Sequence, residues 1–402
     1  MTDPSIRATP VRIQSAVQPP VAGAAVRARV GISVVFAVHG AVYGTFATRI
    51  PWIADRLHAG PGPLGLALIA PAVGAIVAMP LAARVMHRFR SRPTMLVLLL
   101  IWCGALLLPA LAPNLVLLFV ALFGFGAASG MADVAMNAQG VVVEQAYGRS
   151  IMSGLHGLWS AGGLLASGIG AVAAQSDVDA RLHFAGMAVL LGLAGWWGCR
   201  RLLDVGLPAG DHAPAFAWPS RAVLAIGLVG FCAVFVEGGS AEWCAVYLRT
   251  ITHAAPGLAA AAFTAFAFSM TAARLVGDRI VRRFGPVATV RVGGVVASTG
   301  AVLVLVSRQP APALVGFGLI GLGVAVVVPL AFAAAGTIGP NPAQAIAGIA
   351  TIAYGAGLAA PGAIGGIAAI SSLPVSFGLI AGLCVVLVFT AGALQRPAAT
   401  AP

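Results

Sequence analysis

A carboxylate in the middle of a long apolar run is the first feature of this sequence that could do chemistry. Asp133 lies within GFGAASGMADVAMNAQG (124–140), one helical turn ahead of Asn137 on the same face. Gly126 and Gly130 share that stripe, which leaves a surface smooth enough for a neighbouring helix or a ligand to approach. An ionisable group so far from water points to a proton carrier or a ligand contact. The other reading is that Asp133 satisfies helix ends at a bundle contact.

Two histidines fall at a similar depth. His39 is eight residues into the first apolar run and His156 about six into the fifth, and at about 1.5 Å per residue both reach the level of Asp133. An acid beside a histidine in a dry site can pass a proton between them, although either histidine alone also fits a packed core. Nearer the opposite surface, Arg49 on the first run and Glu242 on the seventh stand at matching heights. They could form an ion pair that closes a gate; alternatively Arg49 snorkels to headgroups and Glu242 faces water. Glu237 precedes Glu242 by five residues, a rotation of roughly 140°, so both acids cannot face one cavity. Trp159, Trp243 and Tyr43 could stack on a sugar ring or another flat ligand, or serve as core.

These residues need a membrane around them. The 402-residue chain is 60% hydrophobic and 8% charged, with a mean hydropathy of +0.98, more apolar surface than a soluble core can hide. All 23 basic residues are arginine, which excludes a phosphate-loop lysine and a Schiff-base lysine. Five cysteines (Cys103, Cys199, Cys232, Cys244, Cys384) lie inside apolar runs without metal spacing and read as core. No cofactor, metal or enzyme chemistry is expected.

Spanning segments fall at 31–52, 64–83, 94–112, 115–138, 150–174 and 182–200, then at 221–247, 257–278, 286–307, 312–335, 343–369 and 374–394. Each is near the ~20 residues a bilayer requires, and backbone in lipid must bond to itself, so twelve helices are expected. With both termini cytoplasmic, seventeen arginines fall on the inner side and four on the outer, the asymmetry of a multi-pass inner-membrane protein. The loop arginines are topology rather than a nucleic-acid surface.

An offset of 195 residues superimposes ARVMHRFRSR (83–92) on DRIVRRFGPV (278–287) and WSAGGLLA (159–166) on YGAGLAAP (354–361). Two matches at one offset indicate two six-helix halves of similar fold. The expected organisation is a disordered tail at 1–30, bundles at 31–204 and 221–395, a linker at 205–220 and a short tail at 396–402.

Twelve spans, a six-plus-six repeat and an arginine-rich turn after the second helix of each half resemble the major facilitator superfamily of secondary transporters. In the second half GDRIVRRFG (277–285) matches its signature loop, with Asp278 as the acid and Arg279, Arg282 and Arg283 as the cations; the first half has Ala83 where the acid belongs. The resemblance implies that these loops are gate hardware. Within the superfamily, Asp133 and Asn137 look like the acid and asparagine of the fucose-permease branch of sugar:proton symporters. That branch's second acid, in the first helix, is missing here, and the fifth helix has the glycines of drug:proton antiporters without their proline. The implied activity is proton-coupled, alternating-access transport of a small polar solute by a monomer in lipid. Asp133, His156 and His39 are the candidate proton groups, and Asn137, Trp159, Tyr43 and Glu237 the candidate solute contacts. Export of a drug or metabolite is the alternative.

Overall fold

The computed structural model describes residues 22–149, 151–204, 221–336 and 342–395. The expected tail residues 1–21 and 396–402 and the linker at 205–220 lie outside the described residues. Among those described the chain is helical throughout, without strands. The order is α1 (Ala22–Ala47), α2 (Ile50–Leu57), α3 (Pro61–Arg88), α4 (Ser91–Ala105), α5 (Leu107–Leu111), α6 (Leu115–Tyr147), α7 (Met152–Gln175) and α8 (Ala180–Cys199). The second half holds α9 (Arg221–Ile251), α10 (Pro256–Val306), α11 (Pro310–Val324), α12 (Val327–Ala335), α13 (Pro342–Ile370) and α14 (Leu373–Thr390).

Fourteen helices make twelve crossings because prolines break some spans and a glycine divides one helix. The pairs α1–α2, α4–α5 and α11–α12 are each one span with a broken backbone, and Pro51, Pro109 and Pro329 each follow a break within a turn. Conversely α10, at 51 residues, would be about 75 Å long, far beyond the ~30 Å hydrocarbon thickness. It turns back at Gly285, whose φ of 79° and ψ of 164° suit only glycine, and Pro286 starts the return. The eighth and ninth spans are the two arms of α10.

The expected tail is too long. Residues 22–30 belong to α1: AGAAVRARV is rich in good helix formers, and its arginines need not reach lipid. Arg29 lies against the Tyr147 ring, 4.8 Å from its centroid, and donates to its hydroxyl at 2.7 Å.

The halves repeat in their contacts as well as their order. In the first, α1 packs on α7 and α8, and α3 on α6; in the second, α9 packs on α13 and α14, and α10 on α11. Small residues set these distances. Gly40 and Gly44 of α1 lie on the α7 backbone at Trp159 and Gly163, while Gly126 and Gly130 of α6 lie on α3 at Pro71 and Ala75. The glycine stripe beside Asp133 is thus a helix contact.

The two halves meet through α3 with α13 and α7 with α10. Contact is tightest on the face opposite the α1 N-terminus, here the far face. There a Cβ added to Gly65 would lie 2.7 Å from the Gly365 Cα, and one on Gly62 2.9 Å from the Ala369 Cβ. Toward the N-terminal face, space opens between α7 and α10.

Replacing Gly65 by valine should strain the far-face closure by about 1–3 kcal/mol, as overpacking does. A cysteine at Ala241, inside the central cavity, should then react with a membrane-impermeant thiol reagent from the far side at least tenfold faster than in the parent. An unchanged rate would mean this contact does not hold the far face shut.

Candidate functional site

Two connected cavities lie between the halves. The inner one, about 360 Å³, is lined by α1, α7, α9, α10 and Val328 of α12, and includes Tyr43, Trp159, Glu237, Phe263, Thr271 and Arg274. The second, about 480 Å³, is lined by His156, Asp278, Val281 and Pro329 among others, and shares Ser160, Thr271, Arg274 and Val328 with the first. Together they form one crevice that reaches from the centre of the molecule to the exposed Asp278 near the N-terminal face.

Arg274 stands where the two cavities join. Pro329 has no N–H, which leaves the carbonyl of Ala325, four residues earlier, without its helical donor. Arg274 Nε supplies one at 3.1 Å. Its Nη2 contacts both oxygens of Glu237, at 3.2 and 3.4 Å. One guanidinium thereby ties the seventh, eighth and tenth spans and places a paired charge in the cavity wall.

The first half has an uncharged counterpart in His39, which is 4% exposed. Trp159 Nε1 donates to His39 Nδ1 at 3.0 Å, and His39 Nε2 lies 3.3 Å from the Ser129 carbonyl. An indole can only donate, so Nδ1 accepts and Nε2 carries the hydrogen. Protonating Nδ1 would break the bond to Trp159. In this geometry His39 is a clamp joining the first, fourth and fifth spans. Trp159, so held, stacks near Tyr43 with centroids 6.4 Å apart at 23°, and both rings line the inner cavity.

His156 is different: it lines the open cavity, its ring edge-on to Phe36 at 5.3 Å. Asp133, half-buried, is within electrostatic reach of His156, His39 and Tyr354 of the opposite half. No hydrogen bond or ion pair holds its carboxylate among the described residues. Asn137 lines neither cavity; its amide donates to the Asp133 carbonyl at 2.9 Å, closing a turn of its own helix.

The expected Arg49–Glu242 pair does not form. Arg49 donates to His183 Nδ1 at 3.2 Å and to the Val178 carbonyl at 3.0 Å, both in its own half, and it is buried rather than snorkelling. Glu242 Oε2 is buried without a hydrogen-bond partner among the described residues. The ion pair that does bridge the first and seventh spans on the far face is Asp55–Arg249, at 3.4 Å. Both members are exposed, which makes it worth well under about 1 kcal/mol.

The position of α7, which carries His156 and Trp159, depends on Glu144. Its Oε2 accepts from the N–H groups of Ile151 and Met152 at 2.6 and 2.9 Å, capping the helix where unpaired N–H groups gather.

A sequence profile of the Major Facilitator Superfamily matches residues 32–236. An uncharacterised MFS-type transporter of Yersinia pestis is 35% identical over 385 residues, covering 95% of this chain and 98% of that protein. The chain belongs to the Major Facilitator Superfamily. An uncharacterised transporter of Sinorhizobium fredii is 31% identical over 89% of this chain and 96% of its own length. Among solved structures, the nucleoside transporter NupG superimposes with a TM-score of 0.72 at 14% identity, covering 91% of this chain and 98% of its own. A bacterial homologue of the lysosomal transporter Spinster, in an inward-facing and unoccupied conformation, gives 0.70 at 13%, with coverages of 93% and 97%. The likeness to the solved structures shows the fold, and membership of the family makes the protein a multi-pass membrane transporter rather than an enzyme.

The superfamily's loop residues Asp278, Arg279, Arg282 and Arg283 are all exposed on the N-terminal face. Asp278 has no partner among the described residues, and Arg283 lies over Phe284 at 5.4 Å. In the first half, Arg90 of the corresponding loop binds Asp204 at 2.6 Å.

Sequence reasoning passed over Arg274, Thr271, Ser160 and Phe263. Arg274 carried the same signal as Asp133, an ionisable group inside an apolar run. The other three look like ordinary span residues.

Replacing Arg274 by methionine should destabilise the protein by about 1–3 kcal/mol. That is below the fully buried case because the Arg274 and Glu237 side chains are 31% and 30% exposed. Glu237→Met should cost less, since Ala325 keeps its donor. The double variant should cost about as much as Arg274→Met alone, read from thermal unfolding in detergent; simply additive costs would refute the coupling.

Proposed function

We propose that this protein is a secondary active transporter that carries a small polar solute across the inner membrane by alternating access, driven by the proton gradient. The observation that carries this reading is the crevice itself: an inner cavity between two similar halves, continuous with the N-terminal face and shut at the far face by glycine contacts. The arginine asymmetry supports an N-terminal face turned toward the cytoplasm. The crevice then faces inward, and rocking of one half on the other exposes the same cavity outward.

The solute sits in the inner cavity. A ring stacks against Trp159 and Tyr43, and hydroxyl or charged groups exchange hydrogen bonds with Glu237 and Arg274. A sugar or a related ring-bearing metabolite has both faces, and the resemblance of the fourth helix to the fucose-permease branch supports the same class. Asp133 and His156 carry the proton: one is a carboxylate that no hydrogen bond or ion pair holds among the described residues, the other an imidazole open to the crevice, and they interact electrostatically. The loop with Asp278, Arg279, Arg282 and Arg283 latches the N-terminal face when it closes.

Proton-driven export is the second reading, favoured by the apolar side of the inner cavity, where Phe263, Phe266 and Met270 form the wall. Such a wall suits a hydrophobic drug or metabolite.

The test is a solute panel on protein in sealed vesicles with an imposed pH gradient and an internal pH indicator. A transported solute should move protons with it under symport and against it under antiport. With that solute, Asp133→Asn should abolish proton movement and accumulation while solute binding stays within about threefold, since only the titrating group is lost. Accumulation equal to the parent's would refute the assignment of Asp133.

A further inference from the structure

Away from the crevice, a recess of about 540 Å³ opens at the N-terminal face where α1 and α4 begin and α8 ends. Its wall holds four arginines, Arg27, Arg92, Arg200 and Arg201, with Trp196 and Trp197 and, among the described residues, no carboxylate. The next acid along the chain, Asp204, is already held by Arg90. Four cations converging without a counter-ion among the described residues repel one another, and they also need water or an anion to satisfy their donors. The tryptophans hold part of the set in place. Arg200 lies over Trp196 at 4.7 Å and Arg201 over Trp197 at 3.3 Å, and Arg201 donates to the Trp197 carbonyl at 2.8 Å.

We infer that this recess binds the headgroup of an anionic phospholipid. The charge sign calls for an anion, and the arginine fork suits phosphate oxygens. What selects a lipid over a free ion is the apolar side of the recess: Trp196 and Trp197 remain 44% and 41% exposed. They stand at the end of a spanning helix, where a tryptophan meets the boundary between acyl chains and headgroups. A basic recess between spans at this level accepts a lipid phosphate while the acyl chains run down the outside of α8. The bound lipid would screen the four cations from one another and tie the first, third and sixth spans of the first half together.

The experiment measures lipid retained by purified full-length protein in detergent, titrated with phosphatidylglycerol, with phosphatidylcholine, or with inorganic phosphate, by native mass spectrometry and thermal stabilisation. The parent should retain phosphatidylglycerol at least tenfold more tightly than phosphatidylcholine and show no stabilisation by phosphate. At about fivefold per interfacial arginine, the double variant Arg92→Gln with Arg200→Gln should weaken phosphatidylglycerol retention roughly 25-fold. Arg92→Lys with Arg200→Lys, which keeps both charges, should lose less than about fivefold and guards against misfolding. Arg88→Gln with Arg291→Gln removes two arginines of the same face outside the recess and should change retention less than twofold. Equal retention of the two lipids, stabilisation by phosphate alone, or equal losses from the two Gln pairs would each overturn the assignment. Because solute transport is not read, the outcome is independent of the proposed function.

Discussion

An ionisable side chain withdrawn into a membrane protein has to be answered by another group, and the arrangement at Arg274 shows how this chain answers one. A proline in the tenth span leaves a carbonyl bare, an arginine in the eighth takes it, and a glutamate in the seventh balances the charge. Each group would be costly alone. Together they join three spans of the second half and leave a polar spot on an otherwise apolar cavity wall. The first half reaches the same end without charge through His39, whose two nitrogens join Trp159 to the backbone of the fourth span. Trp159 of the neutral node and Glu237 and Arg274 of the ionic one line the same inner cavity. Against this background two acids differ: among the described residues no hydrogen bond or ion pair holds the Asp133 carboxylate, and Glu242 Oε2 is buried without a hydrogen-bond partner.

The same economy governs motion. The halves touch through small residues where they close and through nothing so tight where they open. Gly65 on Gly365 and Gly62 on Ala369 permit backbone approach at the far face. Such a contact brings the backbones close with little energy held in long side chains. The exposed Asp55–Arg249 pair at that face adds orientation more than strength. Breaks at Arg49, Leu106 and Val326 leave several spans jointed, so that a small shift of one segment need not carry its whole span.

Much of this was legible in the sequence. Apolar runs of spanning length, the arginine asymmetry and the 195-residue offset carry the twelve-span, two-bundle fold, because in lipid the backbone has no other way to bond. Tyr43, Trp159 and Glu237 do line the cavity. Arg49 and Glu242 were misjudged for a geometric reason: counting residues gives height along a helix but not direction, and α1 breaks at Thr48–Arg49 ahead of Pro51, turning Arg49 toward His183. His39 could not be assigned because its role depends on an indole 120 positions away. The importance of Arg274 depended on a proline 55 positions later in the chain. The first helix reached further back than expected because a favourable helical sequence outweighed the presence of two arginines.

The central claim is that the halves rock about the cavity, closing one face as the other opens. Distances between spin labels at Ser176 and Leu258 on the far face, and at Arg149 and Arg291 on the N-terminal face, followed by double electron–electron resonance across a pH titration with a transported solute, test it most directly. The account predicts opposite changes, the far-face distance lengthening as the N-terminal one shortens. Two distances that stay fixed, or that lengthen together, would contradict it.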